Sequence, residues 1–109
     1  MAFDERLAER VRSVLAGRRG LEEKKMFGGL AFLLHGNMAC GVIKDDLVLR
    51  VGKESAERLL TSKHVRPMDF TGRPLAGYVY VGPARYRKRT DLERLVGHAL
   101  AFARGLPKK

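Results

Sequence analysis

The loop Arg66-Pro67-Met68-Asp69-Phe70-Thr71-Gly72-Arg73-Pro74 carries more chemistry than a short turn requires, with two arginines flanking one aspartate. Guanidinium groups bind carboxylates and phosphates through paired N–H donors, so Arg66 and Arg73 can fork around an anion while Asp69 orients them. A structural account uses the same residues. Asp69 caps the turn and pairs with an arginine, Met68 and Phe70 tuck beneath the loop, and Pro67 and Pro74 stiffen the connection without any ligand. The prolines favour the structural account.

Anion chemistry is also suggested by charge. Lys and Arg number 22 against 12 Asp and Glu, a net charge of +10. The basic residues gather at Arg18-Arg19 with Lys24-Lys25, at Arg85-Tyr86-Arg87-Lys88-Arg89, and at Lys108-Lys109, and Arg94 to Lys109 contains no acid. Arg85, Arg87, Lys88 and Arg89 are the best phosphate candidates, and Tyr86 among them either stacks on a base or pins the loop to the sheet. Phosphate contacts give affinity without sequence readout, so this pattern implies at most nonspecific nucleic-acid binding unless a second element enters a groove. No helix-turn-helix, zinc-finger or RNA-recognition signature supplies one.

Other chemistries find little support. His35, His64, His98 and Cys40 are scattered without the spacing of a metal site, and Ser13, Ser55 and Ser62 lack a supporting base motif. Asp45 and Asp46 read as solvated turn formers, and Gly28-Gly29 reads as a bulge or sharp bend, since no Walker lysine and serine follow. The single Cys40 lies in an apolar segment with no adjacent charge, the setting of a buried, inert thiol in a reducing compartment. No cofactor is implied.

The elements that position these residues follow from hydrophobic period. Asp4 caps a helix to about Ala16, whose stripe is Leu7, Val11, Val14 and Leu15, and Gly17-Arg18-Arg19-Gly20 ends it. Lys25 to Phe27, Leu30 to Leu34, Met38 to Ile43 and Leu47 to Val51 read as strands of an antiparallel meander. Glu54 to Leu60 forms a short helix with Ala56, Leu59 and Leu60 on one side, and Tyr78 to Val81 is strongly strand-favouring. Thr90-Asp91-Leu92-Glu93 has the form of a capping box, and Leu92, Leu95, Val96, Ala99, Leu100 and Ala103 make the apolar face of a last helix stopped by Gly105 and Pro107. The order α-β-β-β-β-α-β-β-α predicts an α+β fold of two layers, an antiparallel sheet with the helices on one face.

A chain of 109 residues has the size of one domain, here 1–109. Its longest apolar run, Leu30 to Leu34, is far short of the ~20 residues a membrane helix needs, and its first residues lack the apolar stretch of a signal peptide, so the cytoplasm is the expected compartment.

The segment Glu23-Lys24-Lys25-Met26-Phe27-Gly28-Gly29-Leu30-Ala31-Phe32, followed by Met38-Ala39-Cys40-Gly41-Val42, Leu47-Val48-Leu49-Arg50-Val51-Gly52, the Arg66 to Pro74 loop and Gly77-Tyr78-Val79-Tyr80-Val81, resembles the TfoX N-terminal domain of the TfoX/Sxy family over nearly the whole chain. The family takes its name from bacterial regulators of natural DNA uptake, whose C-terminal domain has no counterpart in this sequence. The resemblance implies the same α+β architecture and a regulatory role in competence and transcription. The function expected on these grounds is that of a non-enzymatic regulatory or adaptor domain, its sheet contacting a protein partner such as a component of the transcription machinery. One alternative is an accessory nucleic-acid-binding module using Arg85 to Arg89 and the basic positions near Arg18. Another is an enzyme or small-ligand carrier with a concave site at Arg66, Asp69 and Arg73. A homodimer through an unpaired strand edge is a further expectation.

Overall fold

A computed structural model describes residues 3–26, 28–69, 72 and 75–108. Asp4 begins the first helix, α1 (Glu5–Leu15), by accepting hydrogen bonds from the backbone N–H groups of Arg6 at 2.9 Å and Leu7 at 3.2 Å. This satisfies donors that a helix start leaves without intrahelical partners. Gly17, at a φ of 85°, turns the chain away after the helix ends.

Six strands follow among the described residues: β1 (Leu21–Met26), β2 (Gly29–Leu34), β3 (Asn37–Ile43), β4 (Asp46–Arg50), β5 (Val65–Pro67) and β6 (Tyr78–Val81). They form one antiparallel sheet in the order β1-β2-β3-β4-β6-β5. Helix α2 (Lys53–Leu59) lies between β4 and β5, and α3 (Pro83–Tyr86) and α4 (Arg89–Arg104) follow β6. The fold is therefore α+β, with the expected order of strands and one short helix, α3, beyond those the sequence suggested. Pro83 suits the first turn of α3 because its missing N–H would have no helical partner there.

The helices share one face of the sheet. Leu7, Val11 and Leu15 of α1, Ala56 of α2, Tyr86 of α3 and Leu92, Leu95, Val96, Ala99, Leu100 and Ala103 of α4 join Leu30, Phe32, Val42, Leu47, Leu49, Val79 and Val81 in the main core. The stripes of α1 and α4 thus meet one sheet face, as their periods required. Val14 is only half-buried and Leu60, expected on the inner side of α2, is exposed.

Two local readings need correction, and the reading of Gly28-Gly29 as a bulge or sharp bend resolves to the bend. Strand β1 begins at Leu21 rather than Lys25, because an edge strand tolerates the charged run Glu22-Glu23-Lys24-Lys25 that hides its period; Phe27, its expected end, lies outside the described residues. Met26 pairs with Gly29, so Gly28-Gly29 marks a tight reversal, whereas the bulge lies between Phe32 and Leu33, where the pairing skips Ala39 and places both Ala39 and Cys40 in the main core. The capping box does not form. Helix α4 starts at Arg89 after an N-cap Lys88 that makes no side-chain cap, and the Glu93 carboxylate instead accepts from Arg89 Nε at 2.9 Å.

Candidate functional site

Alternation along the strands that puts Leu30, Phe32 and Leu34 beneath the helices turns Ala31 and Leu33 to the opposite face. There Ala31, Met38, Val48 and Met68 form a second buried cluster, with Met26, Leu33, Ile43, Tyr78 and Tyr80 half-buried around it. Among the described residues no helix contributes to this cluster, since all four described helices contribute to the main core. Met68 closes part of it from the segment after β5 and is fully buried, as the structural account of that loop expected. Methionine packs adaptably because its side chain is unbranched and polarizable, and the buried Met38 and Met68 fill this cluster beneath its half-buried rim.

Gly41 and Gly29 shape that face. A Cβ on Gly41 would stand 2.7 Å from the Leu30 carbonyl oxygen and 3.4 Å from Met38 Cε, so the methionine lies over the bare backbone. At Gly29 a Cβ would fall onto the Val42 carbonyl oxygen and 2.9 Å from Ile43 Cγ1. Gly29, Ala31 and Gly41 are themselves buried, so neighbouring side chains such as Met38 and Ile43 close over the small residues.

Arg66 does not pair with Asp69. Its Nη2 donates to Asp46 Oδ2 at 2.9 Å across the β5–β6–β4 edge, its Nη1 reaches Asp46 Oδ1 at 3.4 Å, and the guanidinium lies 5.1 Å from the Tyr80 ring centroid. The bond to Asp46 holds the Arg66 guanidinium above its ordinary pKa, and burial raises that of the Tyr80 phenol. Asp46 is therefore a strand residue with a structural partner, not a freely solvated turn former. Asp69 is exposed and contributes its backbone carbonyl to Gly72 N–H at 3.0 Å; Arg73, Phe70, Thr71 and Pro74 lie outside the described residues. The proposed fork of Arg66 and Arg73 loses its first prong to Asp46.

The basic cluster after β6 is largely tied down. Arg85 pairs with Asp91 at 3.6 Å, and Arg89 donates to Glu93 and to Ser13 Oγ at 3.1 Å. Arg87 and Lys88 are exposed and have no ion pair among the described residues. Tyr86 pins the segment: it is 5% exposed, its hydroxyl donates to the Asp45 carbonyl at 2.7 Å, and Arg10 lies over its ring at 5.8 Å while donating to the carbonyls of Tyr86 and Arg87. A base cannot stack on a ring so enclosed.

Burial pushes the Tyr86 phenol up to about 12, with the Asp4, Asp45 and Asp46 carboxylates acting in the same direction and Arg10 against it. A phenol whose pKa is raised by folding contributes stability that is complete below the free value of ~10 and is lost as pH climbs from there toward the folded value. Tyr86→Phe is expected to cost about 0.5–1.5 kcal/mol at neutral pH through the lost hydrogen bond. In denaturant titrations the gap between the two proteins should close between pH ~10 and ~12. A gap that widens there would contradict this placement of the hydroxyl.

The remaining basic positions do not join one surface with these. Lys24 and Lys25 are exposed on β1, and alternation directs them to opposite faces. Arg18 and Arg19 sit in the loop after α1, where they line a cleft of about 350 Å³ with Gly17, Leu34, His35, Leu100 and Arg104. Neither His35 nor Arg104 is marked by sequence spacing, since β2 and α4 bring them there only on folding. Next to this cleft, Arg12 forms a double hydrogen bond with Glu23 at 2.6 and 2.8 Å, which holds the Glu23 carboxyl below its ordinary pKa. Cys40 is fully buried, and desolvation pushes its thiol up to about 12, so it does not serve as a nucleophile.

No group of three or more His, Cys, Asp and Glu side chains able to hold a metal occurs among the described residues, and no described helix is long and apolar enough to cross a membrane. The family model described as the TfoX N-terminal domain matches residues 13–103. No curated protein and no solved structure matches the chain.

Proposed function

The chain belongs to the TfoX N-terminal domain family, and from that premise we propose that it is a non-enzymatic regulatory or adaptor domain acting through the helix-free face of its sheet. The observation that carries this reading is the apolar cluster on that face. Met26, Leu33, Ile43, Tyr78 and Tyr80 stay half-buried beside a small second core, and apolar surface gathered in one place marks an interaction site more strongly than the same residues scattered singly. Aromatic residues and methionine are also the types enriched at protein interfaces.

The partner is a protein that presents an apolar patch in an acidic setting, complementary to the net charge of +10. Transcription is the process we assign it, in the sense the family resemblance implies, and the cytoplasm is the corresponding compartment. The sheet face is preferred to a strand edge because β1 carries Glu22, Glu23, Lys24 and Lys25, while β5 spans only Val65–Pro67 and includes a proline.

A photo-crosslinking amino acid at Leu33, compared with one at Arg94 on the exposed side of α4, tests the reading in cells of the native host. The expected result is a discrete heteromeric adduct from position 33 and none from position 94. An adduct of twice the chain mass would assign the face to a homodimer, and equal labelling from both positions would overturn the choice of face.

Nucleic-acid binding is the second reading, favoured by the net charge and by exposed Arg87 and Lys88. If it holds, affinity for a short duplex falls with a log–log salt slope of about 0.9 per phosphate neutralised, and Arg87→Glu with Lys88→Glu flattens that slope. Under the adaptor reading, duplex binding is already negligible near physiological salt.

A further inference from the structure

We infer that the cleft between the α1–β1 loop and the C-terminal end of α4 binds a compact phosphate monoester through Arg18, Arg19 and Arg104, with His35 at its wall. The residues come from three separate parts of the chain, and no acidic side chain lines the cleft. Glu22 and Glu23 line the neighbouring cleft instead, where Glu23 is occupied by Arg12.

Most other described arginines find partners within the protein, whereas Arg6, Arg87 and Arg94 are exposed without a side-chain partner among the described residues. Arg12, Arg66, Arg85 and Arg89 pair with acids, Arg10 with backbone carbonyls, and Arg50 lies over the rings of Tyr78 and Phe102. Arg18, Arg19 and Arg104 have no such side-chain partner among the described residues.

A simpler role for these cations would be to offset the helix C-termini of α1 and α4, which end beside the cleft. Each such terminus is worth about −0.5 charge, so the two together account for only about one of the guanidiniums. The excess, about +2, matches the −1.5 to −2 of a phosphate monoester near neutral pH. Guanidinium groups can meet its oxygens through paired donors. The buried side chains of Leu34 and Leu100 give the cleft an apolar floor, and its volume of about 350 Å³ suits a phosphate carrying a small organic body.

Gly20 fixes the wall. It has a φ of 79°, and a Cβ there would coincide with the His35 ring, so the imidazole rests directly on the glycine. The His35 N–H donates to the Gly20 carbonyl at 2.8 Å, tying the turn after β2 to the start of β1. The ring is therefore held at the cleft by backbone geometry on both sides.

The test is an NMR titration of the full chain with phenyl phosphate and, separately, inorganic phosphate, at constant ionic strength with chloride as the reference anion. Saturable shifts confined to the amides of residues 17–20, 34–36 and 100–105 are expected. Arg19→Ala and Arg104→Ala should each weaken binding about tenfold, the low end for losing one charged hydrogen bond, while Arg94→Ala leaves it unchanged. His35→Asn, which retains a residue tolerant of positive φ, should weaken binding without unfolding the chain. Tighter binding of phenyl phosphate than of inorganic phosphate assigns the site to an ester, and the reverse assigns it to the free anion. Non-saturable shifts spread equally over Arg6, Lys24 and Arg87 would overturn the inference. So would displacement of phosphate by a short DNA duplex at lower concentration, which would make the cleft part of a nucleic-acid surface.

Discussion

Leu95→Ala is expected to lower the unfolding free energy by about 2–5 kcal/mol, the range for truncating a buried leucine. Leu95 is 1% exposed and sits in the α4 stripe among Leu92, Val96, Ala99 and Leu100, against the same sheet face as Leu7 and Val11. The loss combines the transfer of its apolar atoms with the cavity left between helix and sheet, since neighbours relax only partly. Leu60→Ala supplies the comparison. That side chain is 36% exposed at the end of α2, and its truncation should cost well under the Leu95 value. Urea denaturation of both variants checks the contrast, and a Leu95 effect below about 0.5 kcal/mol would mean that α4 does not cover the sheet as described.

Gly29→Ala should be comparably damaging for the opposite reason. Its added methyl would fall on the Val42 carbonyl oxygen, a backbone atom held in the β2–β3 ladder, rather than on the flexible end of a side chain. Relief requires the strands to part, and overpacking of this kind typically costs about 1–3 kcal/mol, occasionally more. Gly97→Ala is a useful control, because nothing lies within 4 Å of the Cβ it would introduce. That change should be neutral or stabilising, since alanine is favoured over glycine inside a helix. Thermal unfolding that ranks the two substitutions equally would refute the close approach at Gly29.

Much of the architecture was legible because period survives wherever one face must be buried. The stripe Leu92-Leu95-Val96-Ala99-Leu100-Ala103 named its own helix and its own face, and every residue in it is buried. Strand β1 was harder to read, since its charged residues face solvent at the sheet margin and carry no apolar alternation past Leu21. The Thr90 capping box had the right spacing, but Arg89 takes the Glu93 carboxylate that the box needs. The apolar sheet face had a signal of its own in retrospect. Leu30 to Leu34 and Met38 to Ile43 are unbroken apolar runs, as expected of strands with little solvent on either side rather than of strands with one wet face.

Side-chain pairing was least legible. Arg66 and Asp69 are close in sequence, yet Asp46 captures the arginine because β6 enters between β4 and β5 and brings their neighbouring faces together. His35 and Arg104 likewise share a cleft only because a turn after β2 meets the end of α4. Such juxtapositions depend on strand order and helix placement, which local spacing does not encode.

The order of elements has a consequence for the chain as it is made. All six strands precede α4, and α4 lies over β2, β3 and β4. At synthesis rates of about 5–20 residues per second, the ribosome releases Leu30, Phe32, Val42, Leu47 and Leu49 before the helix that shields their strands. A nascent chain arrested after β6 therefore carries its stickiest surface uncovered. That interval is when it most needs a chaperone, and rare codons placed there would lower the yield of native protein more than the same codons placed within α4.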